Sequence, residues 1–119
     1  MRAVPSVLIV DRSEENREVL ETALGRRGIR TLTAAKPARG LEMVARYRPD
    51  LIVLDIEVDH TGADDLCARF APQDGGDVPM VLLGAVRTAA ASPADEIVAK
   101  PYHYAPLIRK IEEILGAVE

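Results

Sequence analysis

The alternation of short, unbroken apolar runs with helix-patterned segments constrains this chain more than any other feature. Residues 7–10 (VLIV), 51–54 (LIVL) and 80–83 (MVLL) each hold four apolar residues without polar alternation. Such runs are expected of strands buried on both faces. A weaker strand is expected at 29–33 and a short one at 97–99. Between them lie segments with helical periodicity. Ser13 can cap the first helix, with Glu14 and Glu15 in its electropositive first turn. Val19, Leu20, Ala23 and Leu24 form its inner face, and Gly28 is its expected C-cap. Pro37 suits the first turn of a second helix, with Leu41, Val44 and Ala45 facing inward and Arg48-Pro49-Asp50 ending it. A short third helix is expected around 64–70. A last, amphipathic one is expected around 105–118 through Leu107, Ile111, Ile114, Leu115 and Val118.

Strands buried on both sides and joined by helices imply a parallel sheet covered on both faces, with right-handed crossovers. At 119 residues, 48% hydrophobic and 29% charged, the chain has the length and composition of one globular domain. One crossover is anomalous. Between Ala85 and Ala94 only eight residues remain, fewer than a mean helix of about 11 residues with its loops. The fourth helix is therefore expected to be shortened or missing.

Composition narrows the function classes. A net charge of −4 supplies no sequence-wide basic field for nucleic acid, although Arg26, Arg27 and Arg30 could form a local patch. The single cysteine, Cys67, cannot form an internal disulfide, nor a zinc site with only His60 and His103 elsewhere. It reads as a small core residue. The N-terminal apolar run is too short to span a membrane. A reducing, cytoplasmic setting is expected.

Ligands of parallel α/β sheets collect at the carboxyl ends of the strands. Three charged residues stand at such ends: Asp11, Asp55 and Lys100. In the strand order 2-1-3-4-5 the first and third strands are neighbours, so Asp11 and Asp55 face each other. Two close carboxylates require a cation, a shared proton or a raised pKa. Mg²⁺, held by carboxylates, a backbone carbonyl and waters, is one solution. The Lys100 ammonium can pair with a carboxylate or a phosphoryl oxygen.

The segments VLIVDRSEENREVLETAL, RPDLIVLDIEVD, DVPMVLLGA and ADEIVAKPY, in this order and spacing, resemble the receiver domain of two-component response regulators. The resemblance covers essentially the whole chain, residues 1–119, as a single receiver-like domain. It implies a flavodoxin-like, doubly wound, five-stranded parallel sheet of order 2-1-3-4-5, and a signalling domain rather than an enzyme. By the same resemblance Asp55 is the phosphoacceptor, served by a histidine kinase, a phosphotransfer protein or a small phosphodonor. Asp11, Asp55 and the backbone carbonyl of Glu57 would hold Mg²⁺. Lys100 would contact the phosphoryl group, and Lys100–Pro101 would be a cis peptide, a form that proline tolerates. The aspartyl phosphate would then bias a two-state element read by an output domain or protein partner. Neither nucleic acid nor membrane is an expected partner of this domain.

Four departures mark the chain as a divergent member. Where receivers usually carry a second acid after the first strand, Arg12 stands, and a cation there weakens the Mg²⁺ site. Two orientations are open: Arg12 can turn inward to pair with Asp11 or Asp55, or outward to solvent. Gly84 replaces the Thr or Ser that bonds the phosphoryl group, and Ile97 replaces the aromatic switch residue. The loop after Asp55 is acidic, through Glu57, Asp59, Asp64 and Asp65, and Glu57 could ligate metal or pair with Arg12. Tyr102 and Tyr104 flank the Lys100-Pro101 turn as candidate partner contacts, whereas His103 reads as a surface residue.

The alternative function is a degenerate receiver, a phosphorylation-independent interaction module, and metal affinity separates the two. An enzyme of the haloacid-dehalogenase phosphatase type fits poorly, because DIEVD has Glu57 where a second Asp is needed. A flavin site lacks a phosphate loop and an aromatic pair.

Overall fold

The computed structural model describes residues 4–58, 62–70, 78–84 and 96–118. In chain order the elements are β1 (Ser6–Val10), α1 (Glu14–Gly25), β2 (Arg30–Ala34), α2 (Pro37–Tyr47), β3 (Leu51–Asp55), α3 (Ala63–Phe70), β4 (Met80–Leu83), β5 (Glu96–Val98) and α4 (Tyr104–Val118). The strands form one sheet of order β2-β1-β3-β4-β5, and every neighbouring pair is parallel. This is the expected flavodoxin-like architecture. The segment between β4 and β5, where a shortened fourth helix was expected, lies outside the described residues.

The pleat of the central strands divides the core in two. Val7, Ile9, Leu51, Val53, Val81 and Leu83 face α1 and α4, where they meet Leu20, Leu24, Leu107 and Ile111. Leu8, Val10, Ile52, Leu54, Met80 and Leu82 face α2 and α3, against Leu41, Val44, Leu66 and Phe70. Successive residues of a strand point to opposite faces, so a strand packed on both sides must be apolar throughout. All of the Leu51–Asp55 strand is buried. Cys67 is buried in the second core, as its sequence setting implied.

Three local expectations are corrected. First, α1 ends at Gly25 with Arg26 as its C-cap. Gly28 lies beyond it, holding a left-handed φ of 77° in the turn to β2. Second, Ala45 is exposed, because α2 seats its first turn on the sheet, burying Pro37 and Gly40 and setting the inner face at Pro37, Gly40, Leu41 and Val44. A Cβ on Gly40 would lie 2.8 Å from a Val10 methyl, so the missing side chain permits this approach. Third, the outer strands are displaced by one residue, β2 running to Ala34 and β5 beginning at Glu96. The expected cap is present at α1, where the Ser13 hydroxyl accepts from the Asn16 amide N–H at 3.2 Å. α2 ends at Tyr47, and its C-cap Arg48 is in the left-handed region at φ 49°, next to the proline that cannot continue the helix.

Candidate functional site

The division of the core continues past the ends of the strands. Asp11 follows Val7 and Ile9 on the α1/α4 side, Asp55 follows Leu51 and Val53, and Lys100 follows Val98. One edge of one face thus gathers all three residues singled out above. Among the described residues, Asp11 and Asp55 are the buried charged ones, 1% and 4% exposed.

Lys100 Nζ lies 2.9 Å from Asp55 Oδ1 and 3.4 Å from Glu57 Oε1. The Glu57 amide N–H donates to the same Asp55 oxygen at 2.9 Å. Asp11 is held from α1: the Ser13 N–H donates to Oδ1 at 2.8 Å and Asn16 Nδ2 to Oδ2 at 3.4 Å. Arg17 Nη1 donates to the Asp11 backbone carbonyl at 2.6 Å. Sequence reasoning missed Asn16 and Arg17. The only sequence signal for them is a position one turn into a helix that begins beside Asp11. The Tyr104 hydroxyl donates to Asn16 Oδ1. Tyr104 also meets the Tyr102 ring edge-on, with centroids 5.7 Å apart. With Asn16, Lys100 and Pro101, the two tyrosines line a hollow of ≈ 410 Å³ beside the acids. His103 is exposed, and Lys100–Pro101 is a cis peptide, as expected.

The electrostatics follow from burial. Burial pushes the Asp11 carboxyl above its ordinary value; the Ser13 N–H opposes this, and the charge of Asp55 adds to it. Burial works against the Lys100 ammonium, but the hydrogen bond and charge of Asp55, with Glu57 and Asp11, outweigh it and raise its pKa. Tyr102 is pushed up by burial and then by the charge of Asp11, and its hydroxyl is buried without a hydrogen-bond partner among the described residues.

The one ammonium, Lys100, is bonded to Asp55 and Glu57 and not to Asp11, so three carboxylates share a single nearby lysine charge. Asp11, Asp55 and the Glu57 carbonyl supply hard oxygen donors, which suit Mg²⁺, an ion that keeps several waters. Among the described residues no group of three or more His, Cys, Asp or Glu side chains gathers to hold a metal.

Residues 7–112 match the family model described as the response regulator receiver domain. The chain belongs to that family. It is 34% identical over 118 residues to the transcriptional regulatory protein AfsQ1 of Streptomyces coelicolor, covering 94% of this chain and 52% of that protein. It is 37% identical over 93 residues to a protein-glutamate methylesterase/protein-glutamine glutaminase of Anaeromyxobacter dehalogenans, covering 78% of this chain and 25% of that one. This receiver spans about half the length, or less, of these relatives. Its fold matches the receiver domain of the Francisella response regulator 1452, with TM-score 0.84 and 21% identity over 97% of this chain and 99% of that one. It also matches the chemotaxis response regulator CheY4 of Vibrio cholerae, with TM-score 0.83 and 20% identity over 94% and 99%. No helix among the described residues is long and apolar enough to cross a membrane.

The departures from the receiver pattern have physical counterparts. Arg12 is exposed and has no ion pair with Asp11 or Asp55, so the inward orientation left open above is not adopted. Glu57 pairs with Lys100 rather than with Arg12. Gly84 holds a φ of 142°, and a Cβ there would lie 2.6 Å from the Ile56 side chain. Ile56 thus closes the space beside the position at which the resemblance expects a hydroxyl. Ile97 is partly buried against the α2/α3 core. Asp59 and His60 lie outside the described residues, as does the Asp64 side chain; Asp65 is exposed.

Proposed function

We propose that this receiver accepts a phosphoryl group on Asp55 and passes the change to an output domain or protein partner. The observation that supports it most is the clamp on one Asp55 oxygen. Oδ1 takes both the Lys100 ammonium and the Glu57 N–H, which leaves Oδ2 to attack phosphorus. As the new O–P bond forms, the bond to the donor breaks, and the donor keeps that electron pair. The donor is the phosphohistidine of a histidine kinase or phosphotransfer protein, or a small acyl phosphate. Lys100, already at the carboxylate, offsets charge developing on the phosphoryl oxygens. Mg²⁺, held by Asp11, Asp55 and the Glu57 carbonyl, would supply further charge neutralisation when bound. Asn16 and Ser13 orient Asp11 for that role.

Incubation with acetyl phosphate and Mg²⁺, followed by intact mass spectrometry, tests this reading. Addition of one phosphoryl group, absent from Asp55→Asn, is the expected result; no addition in the wild-type chain overturns it.

A specific observation favours the second reading, a receiver that works without phosphorylation. Gly84 backs onto Ile56 and offers no hydroxyl, so the usual step from phosphoryl group to strand β4 is missing. On that reading the chain presents a fixed surface, and the mass remains unchanged while a partner still binds.

A further inference from the structure

We infer that the α2/α3 side of the carboxyl edge carries a second site, for a small aliphatic anion with at least two negative charges. The groove there measures ≈ 460 Å³, within the range of about 300–1,000 Å³ typical of small-molecule pockets. Arg12, Lys36 and Arg69 line it, around a surface that includes Pro37, Ala38 and Val58. Arg12 reaches it by the pleat: Leu8 and Val10 face α2 and α3, and the next residue of that parity is Arg12. Lys36 follows Leu32 and Ala34 in the same way, and Val58 follows Leu54 and Ile56.

Three cations lining one groove repel one another unless something negative joins them. Some cations elsewhere have partners: Arg27 pairs with Glu112, Arg39 with Glu42 and Lys110 with Glu96. Arg12, Lys36 and Arg69 have none among the described residues. The chain as a whole is acidic, with net charge −4, so a surplus of base does not account for the trio. Nor does α2 offset them, because its first turn holds no acid. Guanidinium forks grip phosphate or carboxylate with two parallel hydrogen bonds, and an ammonium adds a point charge. The alanines, the proline and the valine give the ligand's carbon body an aliphatic surface, with no ring to stack on. Phosphorylated or polycarboxylated aliphatic compounds meet that description.

The site is independent of Asp55 chemistry, and its test keeps the two apart. Fructose 1,6-bisphosphate and citrate would be titrated into the full chain at constant ionic strength, with amide NMR as readout and sorbitol as the neutral control. The expected result is saturable shifts at Ala35, Ala38 and Val58 with one or both anions, which also tells phosphate from carboxylate recognition. The double variant Arg12→Gln/Arg69→Gln should bind about tenfold more weakly or worse. Asp55→Asn should bind as the wild type does. No saturation with either anion, or equal binding by the double variant, would overturn the proposal. So would saturation only by an acidic peptide such as oligoglutamate, which would make the groove a protein-docking surface.

Discussion

On the α1/α4 side of the sheet, the residues just past the strands are Asp11, Asp55 and Lys100, drawn together and largely withdrawn from water. On the α2/α3 side, Arg12 and Lys36 are exposed and positive, beside the buried Val58. The two sides differ by one step along the backbone. Turned toward Asp11 and Asp55, Arg12 would put both signs of charge at the acid pocket. Here the pleat separates them. The lesson is that a charge reversal next to a candidate metal ligand need not face it, because adjacent residues at a strand end point to different faces.

The largest expected effect concerns Gly84. Gly84→Thr, which would restore the family's hydroxyl, should destabilise the fold by about 3 kcal/mol, since the new Cβ meets Ile56 and the backbone is held at φ 142°. Urea unfolding measures this. A neutral result would mean that Ile56 yields easily and that the acid side can regain its usual hydroxyl.

A smaller effect is expected at Asp11. Its carboxyl titrates above the ordinary value in the fold, so the folded chain retains a proton that the unfolded chain has released. Ionising it as pH rises therefore costs stability. Asp11→Asn should stabilise the metal-free protein by about 1 kcal/mol at pH 7. That gain should disappear below the unfolded value of 3.8, where the carboxyl is protonated in both states. Denaturation curves at the two pH values decide it. The same variant should lose Mg²⁺ binding, so stability and metal affinity move in opposite directions.

The smallest effect sharpens the comparison itself. Because Arg12 is exposed and turned to the other side, its charge reaches the acids only through screened solvent. Arg12→Gln should raise Mg²⁺ affinity by only about two- to threefold, measured by calorimetry. A gain of tenfold or more would put the guanidinium at the metal position and break the separation of the two sides.

Much of this was readable from the residues. Fully buried parallel strands are continuous apolar runs, so β1, β3 and β4 stood out, and the charges ending those runs led to Asp11 and Asp55. The inner face of the second helix was read correctly at Leu41 and Val44 but extended to Ala45 instead of Gly40, because Gly40, in close contact with the sheet, has no side chain to register as apolar. Asn16 and Arg17 escaped notice because polar residues in a helix acquire meaning only once the helix is placed beside Asp11. The value of Gly84 lies in its backbone angle and in the position of Ile56, neither of which composition records. The direction of Arg12 was decidable in principle, since it sits two residues past Val10 on a strand buried on both faces. The loop between the strand and the helix made inward and outward equally open until the fold was in hand.

The most direct test of the central claim is an amide NMR titration with Mg²⁺ and then beryllofluoride, an aspartyl-phosphate mimic, with Asp55→Asn as the control. Saturable shifts at Asp11, Asp55, Glu57 and Lys100, absent from the control, are predicted. No response at millimolar Mg²⁺ with excess beryllofluoride would contradict the account and leave the acid side a structural remnant in an interaction module.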